Sequence, residues 1–523
     1  MASFLPPEVW TLIFTYASGF PRWDPLLPGQ HLKAALKPFD THAAAAHKKI
    51  NGICTSCALH HYDQKVLTKV CLVAKQCYDS AVTLLYRDPV IPTEGGRTLL
   101  LRTLVEQPQL GPHVRWLSLQ GFVDSEETGR FGEQVRSSTD EDKLFLHDRL
   151  PQAFIHRYDE LAGRSEQSEP FHQLAPGKAD EQTCLATILS FLPNLRKTSL
   201  VHSAGEACAG LLPDSLTSLT FVEITHVPAL FTDRRFQDLR WLAKAAPNIS
   251  TLILKDLTIT PRGMEDESYD WPIFANVKCL CVVKCLITES QWSMFLQSFP
   301  KIEQLDFLRP RHVFAGDAFA NTLADYSPHL RDLRVQFINP RGNYMRFGQE
   351  LAKIESLQRL WMPFVCLLGS KEDFKAEDFV TTLPRGLRHL SLLTVSAVED
   401  EMCLALQRIA VEARAPDSRF QDLRSVLVTG WSFDVGMSGP TSRRMEVEES
   451  VVGTGKLMNS RGVRLTIEGG VTGWEDHYMG LDRVVRRYGE GDERERETDE
   501  NLMKGHSLGE YGTMARWCTR QPE

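Results

Sequence analysis

Three residues near the N-terminus have the chemistry and the spacing of a metal site. Cys54 and Cys57 are separated by two residues, and His60 follows Cys57 after two more. Thiolates and imidazoles are ligands that Zn²⁺ prefers, and the Cys-x-x-Cys spacing lets one tight turn hold both sulfur atoms. His42 and His47 are available to complete a four-ligand site. The alternative is a loop that carries free thiols and solvated histidines.

Other stretches resemble catalytic motifs but lack residues that those motifs require. Gly453-Thr454-Gly455-Lys456 is similar to part of a phosphate-binding loop, but Ser450 occupies the position of the first glycine and Leu457 that of the Mg²⁺-binding hydroxyl. The sequence contains neither a Gly-x-Ser-x-Gly elbow, nor a His-Glu-x-x-His helix, nor the kinase motifs. Three cysteines within residues 279–285 are interpreted as small core residues. We therefore predict that the chain is not itself an enzyme.

The composition limits the classes of partner. The 523 residues are 42% hydrophobic and 24% charged, with a formal net charge of −8. This balance is typical of a globular protein and disfavours nucleic acid as the main partner, because phosphate contacts need a concentrated basic surface. No apolar run approaches the roughly 20 residues of a membrane span, and the N-terminus lacks the features of a signal peptide. We expect an intracellular protein of the cytoplasm and/or nucleus with reduced cysteines.

A short apolar-x-apolar phrase recurs along the chain, as expected of strands that bury one face. Its first copy lies in Val114–Leu119. Most intervals between copies are near the roughly 20–29 residues of leucine-rich repeats, and several are longer. The later copies are Thr198-x-Leu200, Leu219-x-Phe221, Leu252-x-Leu254, Leu280-x-Val282, Leu305-x-Phe307, Leu333-x-Val335, Leu360-x-Met362, Leu390-x-Leu392, Val426-x-Val428 and Leu465-x-Ile467.

The residues before these phrases complete a repeating unit. A proline and an apolar residue precede several strands, as in Pro193-Asn194-Leu195, and a helical segment such as Trp292–Phe299 precedes the proline. One unit of helix, turn and strand cannot bury its own apolar face, so stacked neighbours must share a core. Right-handed crossovers then give an α/β solenoid, a horseshoe with a curved parallel sheet and helices outside.

The main alternative is a doubly wound α/β domain, which also alternates strand and helix. The short strands, the narrow range of intervals and the lack of a glycine-rich phosphate loop after the early strands favour the solenoid. Asn is missing from the position where many leucine-rich repeats carry a buried Asn ladder. The repeats are therefore predicted to be irregular and leucine-rich-repeat-like.

Two amphipathic helices are predicted ahead of the repeats. Pro6 and Pro7 open the first, where a missing N–H costs least, and its apolar face includes Val9, Leu12 and Ile13. The second runs through residues 70–86, and short helices of this kind must bury their faces against each other or a partner. Its apolar positions are Val70, Val73, Cys77, Ala81, Leu84 and Leu85.

These two helices resemble an F-box. The residues that carry the resemblance are Leu5-Pro6-Pro7-Glu8, Cys71-Leu72-Val73-Ala74-Lys75 and Leu84-Leu85-Tyr86-Arg87, in that order. Ala74 replaces the usual serine, and residues 18–66 interrupt a motif that is normally continuous. The alternative is two ordinary core helices. An F-box followed by irregular leucine-rich-like repeats is similar to F-box proteins common in filamentous fungi.

The resemblance implies the substrate-recognition subunit of a Skp–cullin–F-box ubiquitin ligase. The F-box would dock on a Skp-type adaptor, and through it on cullin, while the solenoid binds an unknown target protein. By this analogy the apolar contacts to the adaptor would come from Leu5, Pro6, Ile13, Leu72 and Val73. The alternatives are a solenoid scaffold that acts outside a ligase and an enzyme with an unrecognised site.

The chain divides into three predicted regions. Residues 1–91 form the F-box-like region with its insertion, residues 92–470 the solenoid with an acidic loop at about 124–182, and residues 471–523 a charged tail. Loops at the carboxyl ends of solenoid strands commonly carry recognition. The candidate target-binding residues at these ends are Arg309, Arg311, Trp361 and Phe364, with capping of the core as the alternative role.

Overall fold

The computed structural model describes residues 75–89, 91, 94–119, 181–201, 211–225, 236–259, 271–311, 315–336, 347–368, 375–393, 399–413, 418–431, 441–470 and 483–488. These residues fall into two compact units. The first extends to Ile302 and includes residues 310–311, and the second contains residues 303–309 and the residues from 315 onwards. None of the described helices is long and apolar enough to cross a membrane.

The first unit contains five short strands and the helices between them, counted over the described residues. The strands are parallel, and each of the first four pairs with the strand that follows it in the chain. The elements are α1 (Lys75–Leu85), α2 (Glu94–Glu106), a 3₁₀ helix (Pro108–His113), β1 (Trp116–Ser118), α3 (Glu181–Ser190), β2 (Lys197–Val201), β3 (Phe221–Thr225), a 3₁₀ helix (Phe236–Leu239), α4 (Arg240–Ala245), β4 (Thr251–Lys255), β5 (Cys279–Val283) and α5 (Glu289–Gln297).

The second unit repeats this plan. Its first six described strands are parallel and follow chain order, and its last strand is antiparallel to the one before it. The elements are β6 (Gln304–Leu308), α6 (Gly316–Tyr326), β7 (Asp332–Gln336), a 3₁₀ helix (Gln349–Lys353), β8 (Arg359–Pro363), α7 (Val365–Leu368), α8 (Ala376–Thr382), β9 (His389–Leu393), α9 (Glu399–Glu412), β10 (Ser425–Trp431), α10 (Thr441–Asn459), β11 (Arg464–Gly470) and β12 (Arg483–Tyr488).

This strand order confirms the predicted α/β solenoid architecture at the level of repeating helix–strand units. In a doubly wound domain the strand order reverses at a switch point. Within each unit the parallel strands instead follow the chain without reversal. In β2, in β4 and in each strand from β5 to β11, the predicted pair is the second and the fourth residue of the strand. Both residues of every one of these pairs are buried.

The prediction for β3 was wrong by three residues. Leu219 is not in a strand but is the buried apolar residue of the turn before β3, and Val222 and Ile224 are the core pair. The mistake arose because Leu219-x-Phe221 has the same alternation as a strand pair. With the correct pair, the intervals from Thr198 to Val222 and from Val222 to Leu252 become 24 and 30 residues, which are more even than the predicted 21 and 33.

A backbone contact recurs where the strands begin. The carbonyl oxygen of the residue before a strand accepts hydrogen bonds from two successive N–H groups of the next repeat. Thr220 O, for example, accepts from Ser250 N at 2.9 Å and Thr251 N at 3.1 Å. Because the contact involves only the main chain, it does not depend on residue type. Arg87, which follows α1, accepts in the same way from Arg115 N and Trp116 N. The acceptors before strands are Arg115, Arg196, Thr220 and Ser250 in the first unit and Glu303, Arg331, Gln358 and Arg388 in the second.

Asparagines link neighbouring turns in the first unit. Asn194 Nδ2 donates to Pro112 O at 2.9 Å, Asn248 Nδ2 to Thr217 O at 2.8 Å, and Asn276 Nδ2 to Pro247 O at 3.0 Å. In each case the asparagine lies three residues before its strand, and the acceptor belongs to the turn of the preceding repeat. These asparagines do not occupy the position of the usual buried Asn ladder, and so their contacts were not predicted from the sequence.

Aromatic side chains fill the space between the helices. In the first unit the ring of Phe236 lies 5.0 Å from that of Phe295 and 5.8 Å from that of Phe299, centre to centre. In the second unit Phe307 of β6 lies 5.3 Å from Phe319 of α6. Such clusters bury large apolar areas and stabilise contacts between repeats.

Two features of the second unit differ from simple expectation. The Gly453–Lys456 segment lies inside α10, so its backbone is helical and does not form a phosphate-binding loop. In addition, β12 falls within the region that was predicted as a charged tail, and it pairs with β11. The predicted acidic loop lies outside the described residues except at its end, where α3 begins with Glu181.

Truncation of a core strand residue should destabilise the second unit. Leu392 of β9 is fully buried, so Leu392→Ala should lower the free energy of unfolding by about 2–5 kcal/mol through lost burial and a residual cavity. The measurement is the shift of the urea midpoint, followed by circular dichroism.

The matched control is Leu404→Ala on α9, because Leu404 is 53% exposed. Its effect should stay within about 0.5 kcal/mol. Equal effects of the two substitutions would contradict the placement of the core.

Candidate functional site

The predicted N-terminal sites are not tested by the structure. The residues proposed for adaptor binding (Leu5, Pro6, Ile13, Leu72 and Val73) and for zinc (Cys54, Cys57 and His60) lie outside the described residues. Among the residues that are described, no group of three or more His, Cys, Asp or Glu side chains is placed to hold a metal ion.

The described end of the F-box-like region is attached to the edge of the sheet. On α1, Ala81 and Leu84 are buried, as their helical spacing predicted, whereas Tyr78 is exposed. The chain after α1 then runs beside β1. Arg115 N and Trp116 N both donate to Arg87 O, at 2.7 and 3.2 Å. The edge of β1 is therefore covered by the segment that follows the helix.

This attachment continues along β1 through three more residues. Ser118 N donates to Pro89 O at 3.1 Å, and Ile91 N donates to Ser118 O at 2.8 Å. Backbone pairing of this kind removes unpaired N–H and C=O groups from a sheet edge. The orientation of α1 relative to the first repeat is consequently fixed by main-chain contacts.

A buried carboxyl group lies in the same segment. Burial raises the pKa of Asp88 to about 6, and the attraction of Arg87 and Lys197 only partly opposes that effect. Arg87 Nε lies 3.7 Å from Asp88 Oδ2. In the unfolded chain the carboxyl group would ionise near pH 3.8. The folded state therefore binds more protons than the unfolded state between these two pH values, and stability decreases as the pH rises through that range.

Asp88→Asn should stabilise the protein at neutral pH but not in acid. Above pH 6 the substitution removes an ionised buried carboxylate, so the gain should approach about 3 kcal/mol. Well below pH 3.8 the carboxyl of the parent chain is protonated in both the folded and the unfolded state, and the difference should disappear. The measurement is the urea midpoint at several pH values.

The exposed residue Asp325 provides the control. Asp325→Asn should shift the midpoint equally little at every pH. A gain from Asp88→Asn that does not depend on pH would contradict the assignment.

The four candidate target-binding residues have different environments. Arg309, Trp361 and Phe364 belong to the second unit, and Arg311 belongs to the first. Trp361 is 9% exposed and Phe364 is fully buried, with its ring 5.5 Å from that of Phe379. Arg311 is exposed and its Nη2 lies 2.9 Å from Asp256 Oδ1. Arg309 is partly exposed. The two arginines are thus the more accessible candidates.

The face of the sheet opposite the core pairs carries most of the charged strand residues of the second unit. First and third strand residues point to this face because side chains alternate along a strand. Parallel register then places Asp306, Arg334, Trp361 and Ser391 side by side on β6 to β9. A second row, from Asp332 through Arg359 and His389 to Ser425, lies one step nearer the strand starts. We call these two rows the polar face.

Opposite charges and an aromatic ring are neighbours in the first row. Burial raises the pKa of Asp306, and the Arg334 guanidinium opposes this, as does a hydrogen bond that Gln304 Nε2 donates to Asp306 Oδ1 at 3.5 Å. The Arg334 guanidinium also lies 4.5 Å from the centre of the Trp361 ring. Such a cation–π contact holds the planar guanidinium over the ring.

The second row contains another ion pair. Arg359 Nε lies 2.9 Å from Asp332 Oδ1, although that oxygen accepts no aligned hydrogen bond. Burial raises the pKa of Asp332 to about 6, because the attraction of Arg359 does not compensate for lost hydration and the carboxyl of Asp306 is nearby. On the next strand, burial and the charges of Arg359, Arg424 and Arg388 lower the pKa of His389.

The polar face suits recognition of polar or charged groups. Arg334, Asp332, Arg359 and His389 are all partly exposed, and their neighbours fix their positions. The sequence analysis did not single out these residues. The signal that identifies them is the repeat register, because once the core pairs are known, the residues before and between them must lie on the other face.

Two of the described thiols, those of Cys285 and Cys366, are not activated nucleophiles. Burial raises the pKa of Cys285 to about 12, and it does the same for Cys366. A reactive cysteine requires the opposite, a lowered pKa at an accessible position. Cys281 and Cys285 are buried, as predicted, and Cys279 is half-buried.

Removal of the Arg334 side chain should reveal its coupling to Asp306. Arg334→Met leaves a buried carboxyl without its cation, so it should destabilise the second unit by about 3 kcal/mol at pH 7. The loss should shrink as the pH falls and Asp306 is protonated. Urea midpoints at pH 7 and pH 4.5 provide the measurement.

A second measurement introduces Arg334→Met into the Asp306→Asn variant. In that variant the loss of unfolding free energy should be much smaller, because no buried charge remains. The same loss in both backgrounds would mean that the two side chains are not coupled.

Comparison with known proteins adds no assignment, since no family model matches this chain and no curated protein is significantly similar to it.

Proposed function

We propose that the protein is the substrate-recognition subunit of a Skp–cullin–F-box ubiquitin ligase. The observation that carries the proposal is the direct attachment of α1, whose last residues begin the Leu84–Arg87 end of the F-box-like pattern, to the first strand of a repeat sheet. An adaptor-binding module would then be joined directly to the first repeat of a target-binding array. Leu5, Pro6, Ile13, Leu72 and Val73 would make the apolar contacts with the adaptor.

The finer description of the fold belongs to the same proposal. The residues Ile249, Leu252 and Leu254 follow the Leu-x-x-Leu-x-Leu spacing of leucine-rich repeats, as do Leu387, Leu390 and Leu392. We infer that the two units are leucine-rich-repeat-like and that the N-terminal region is an F-box. The polar face would bind the target protein, with Arg309 and Arg311 as further candidates.

Catalysis under this proposal is a matter of proximity. The receptor would hold a target lysine near the ubiquitin-charged conjugating enzyme and so raise its effective concentration. The chain itself would supply no acid, base or nucleophile. Such a complex would act in the cytoplasm and/or nucleus.

The second candidate function is a repeat scaffold that acts outside a ligase. The observation that favours it is the insertion at residues 18–66, which separates the two halves of the F-box-like pattern and could block docking. Only the ligase subunit requires binding to the adaptor, so a measurement of adaptor binding distinguishes the two functions.

The decisive experiment is co-purification of the full chain with a Skp-type adaptor. The parent chain should form a 1:1 complex, and a Leu5→Ala/Ile13→Ala/Leu72→Ala variant should lose it, because these side chains would supply the apolar contact area. Size-exclusion chromatography with light scattering measures the stoichiometry.

A triple variant at exposed apolar positions serves as the control. Tyr326, Leu404 and Val411 lie on helices of the second unit and are 39%, 53% and 50% exposed, so Tyr326→Ala/Leu404→Ala/Val411→Ala should bind the adaptor normally. If the parent chain does not bind, the ligase proposal is refuted and the scaffold function is favoured.

A further inference from the structure

The starts of four neighbouring strands concentrate positive charge on a chain whose net charge is −8. We consider four windows of the chain, each made of the first residue of β8, β9, β10 or β11 and the four residues before that residue. The four windows together contain two acidic residues, Glu355 and Asp422. Their six arginines are Arg359, Arg385, Arg388, Arg424, Arg461 and Arg464.

Three of these arginines lie at the starts of successive strands. Arg388 and Arg424 directly precede β9 and β10, and Arg464 is the first residue of β11. Arg424 N donates to Arg388 O at 2.8 Å, and Arg464 N donates to Arg424 O at 2.9 Å. Parallel register pairs Arg464 with Ser425, one residue beyond Arg424. Because adjacent strands are about 4.8 Å apart, the three side chains start within roughly 10 Å of one another. We call Arg388, Arg424 and Arg464 the arginine row.

Within the part of the chain that the structure describes, none of the three side chains forms a hydrogen bond or an ion pair. Arg388 Nε is also buried without a hydrogen bond. By contrast, Arg359 pairs with Asp332. Burial lowers the pKa of His389, beside the row, and the charges of Arg359, Arg424 and Arg388 lower it further.

We propose that the arginine row binds an extended acidic segment of a partner protein. Guanidinium groups bind carboxylates through paired, charge-assisted hydrogen bonds. In an extended peptide, alternate side chains lie about 6.6 Å apart on one face, so two or three acidic residues at alternate positions can reach the row. The net charge of −8 disfavours a nucleic acid, which would be repelled by the rest of the surface. This inference rests on the proposed function and specifies the chemistry of the target.

The test uses the full chain and a fluorescein-labelled synthetic peptide with glutamates at three alternate positions. Anisotropy at about 0.1 M salt should show binding that is at least about tenfold tighter than that of the peptide with glutamine at the same positions. Arg388→Gln/Arg424→Gln should weaken glutamate-peptide binding by at least about tenfold, because two charge-assisted contacts are lost.

The control is Arg196→Gln/Lys278→Gln, which removes two charges from the residues before β2 and β5 in the first unit. This variant should bind the glutamate peptide like the parent chain. Equal binding of both peptides, or an equal loss in the control, would overturn the proposal. So would tighter binding of an oligonucleotide with the same number of charges.

The two proposals can fail separately. Peptide binding through the arginine row without adaptor binding would leave an acid-binding surface on a scaffold. Adaptor binding without discrimination between the peptides would refute only the arginine row as the recognition site. Circular dichroism of each variant should match that of the parent chain, since Arg388 and Arg424 contribute to the repeat contact through their main chains.

Discussion

The repeats depend on a carbonyl oxygen that directly precedes a strand and accepts two N–H groups from the repeat that follows, a contact made before eight of the described strands. Thr220 O does this for β4 and Gln358 O does it for β9. The contact fixes the register of a strand relative to its neighbour where that strand begins. A slip of one residue would turn every core side chain to the other face. The apolar core and the polar face are therefore both consequences of the same backbone geometry.

The register has an electrostatic cost in the second unit. It places Asp306 opposite Arg334 and Asp332 opposite Arg359, and it buries these carboxyl groups enough that burial outweighs the attraction of the arginines. The pKa of each is raised despite its cation. A buried ion pair of this kind stabilises the fold no more than a well-packed apolar pair would, although removal of one partner is costly. On this face Arg334, Arg359 and His389 remain partly exposed, and their fixed positions suit the recognition of a partner.

The first unit shows how an N-terminal helix can be made part of a repeat array. A terminal strand would leave an open edge, and such edges invite pairing with other chains. The segment after α1 covers β1 through the main chains of Arg87 and Pro89, so the helix and the first repeat move together. For a recognition subunit, this attachment would hold the helix in a fixed position relative to the first repeat.

The sequence alone determined the class of fold, because the apolar alternation of pairs such as Leu305 and Phe307 reports burial directly. It did not determine the register of β3, where Leu219-x-Phe221 mimics a strand pair, nor the strand β12. The polar face and the arginine row could not be predicted, since each joins residues far apart in the chain, such as Arg388 and Arg464. Only the stacking of repeats brings these residues together, and that stacking depends on main-chain hydrogen bonds that no residue type reveals.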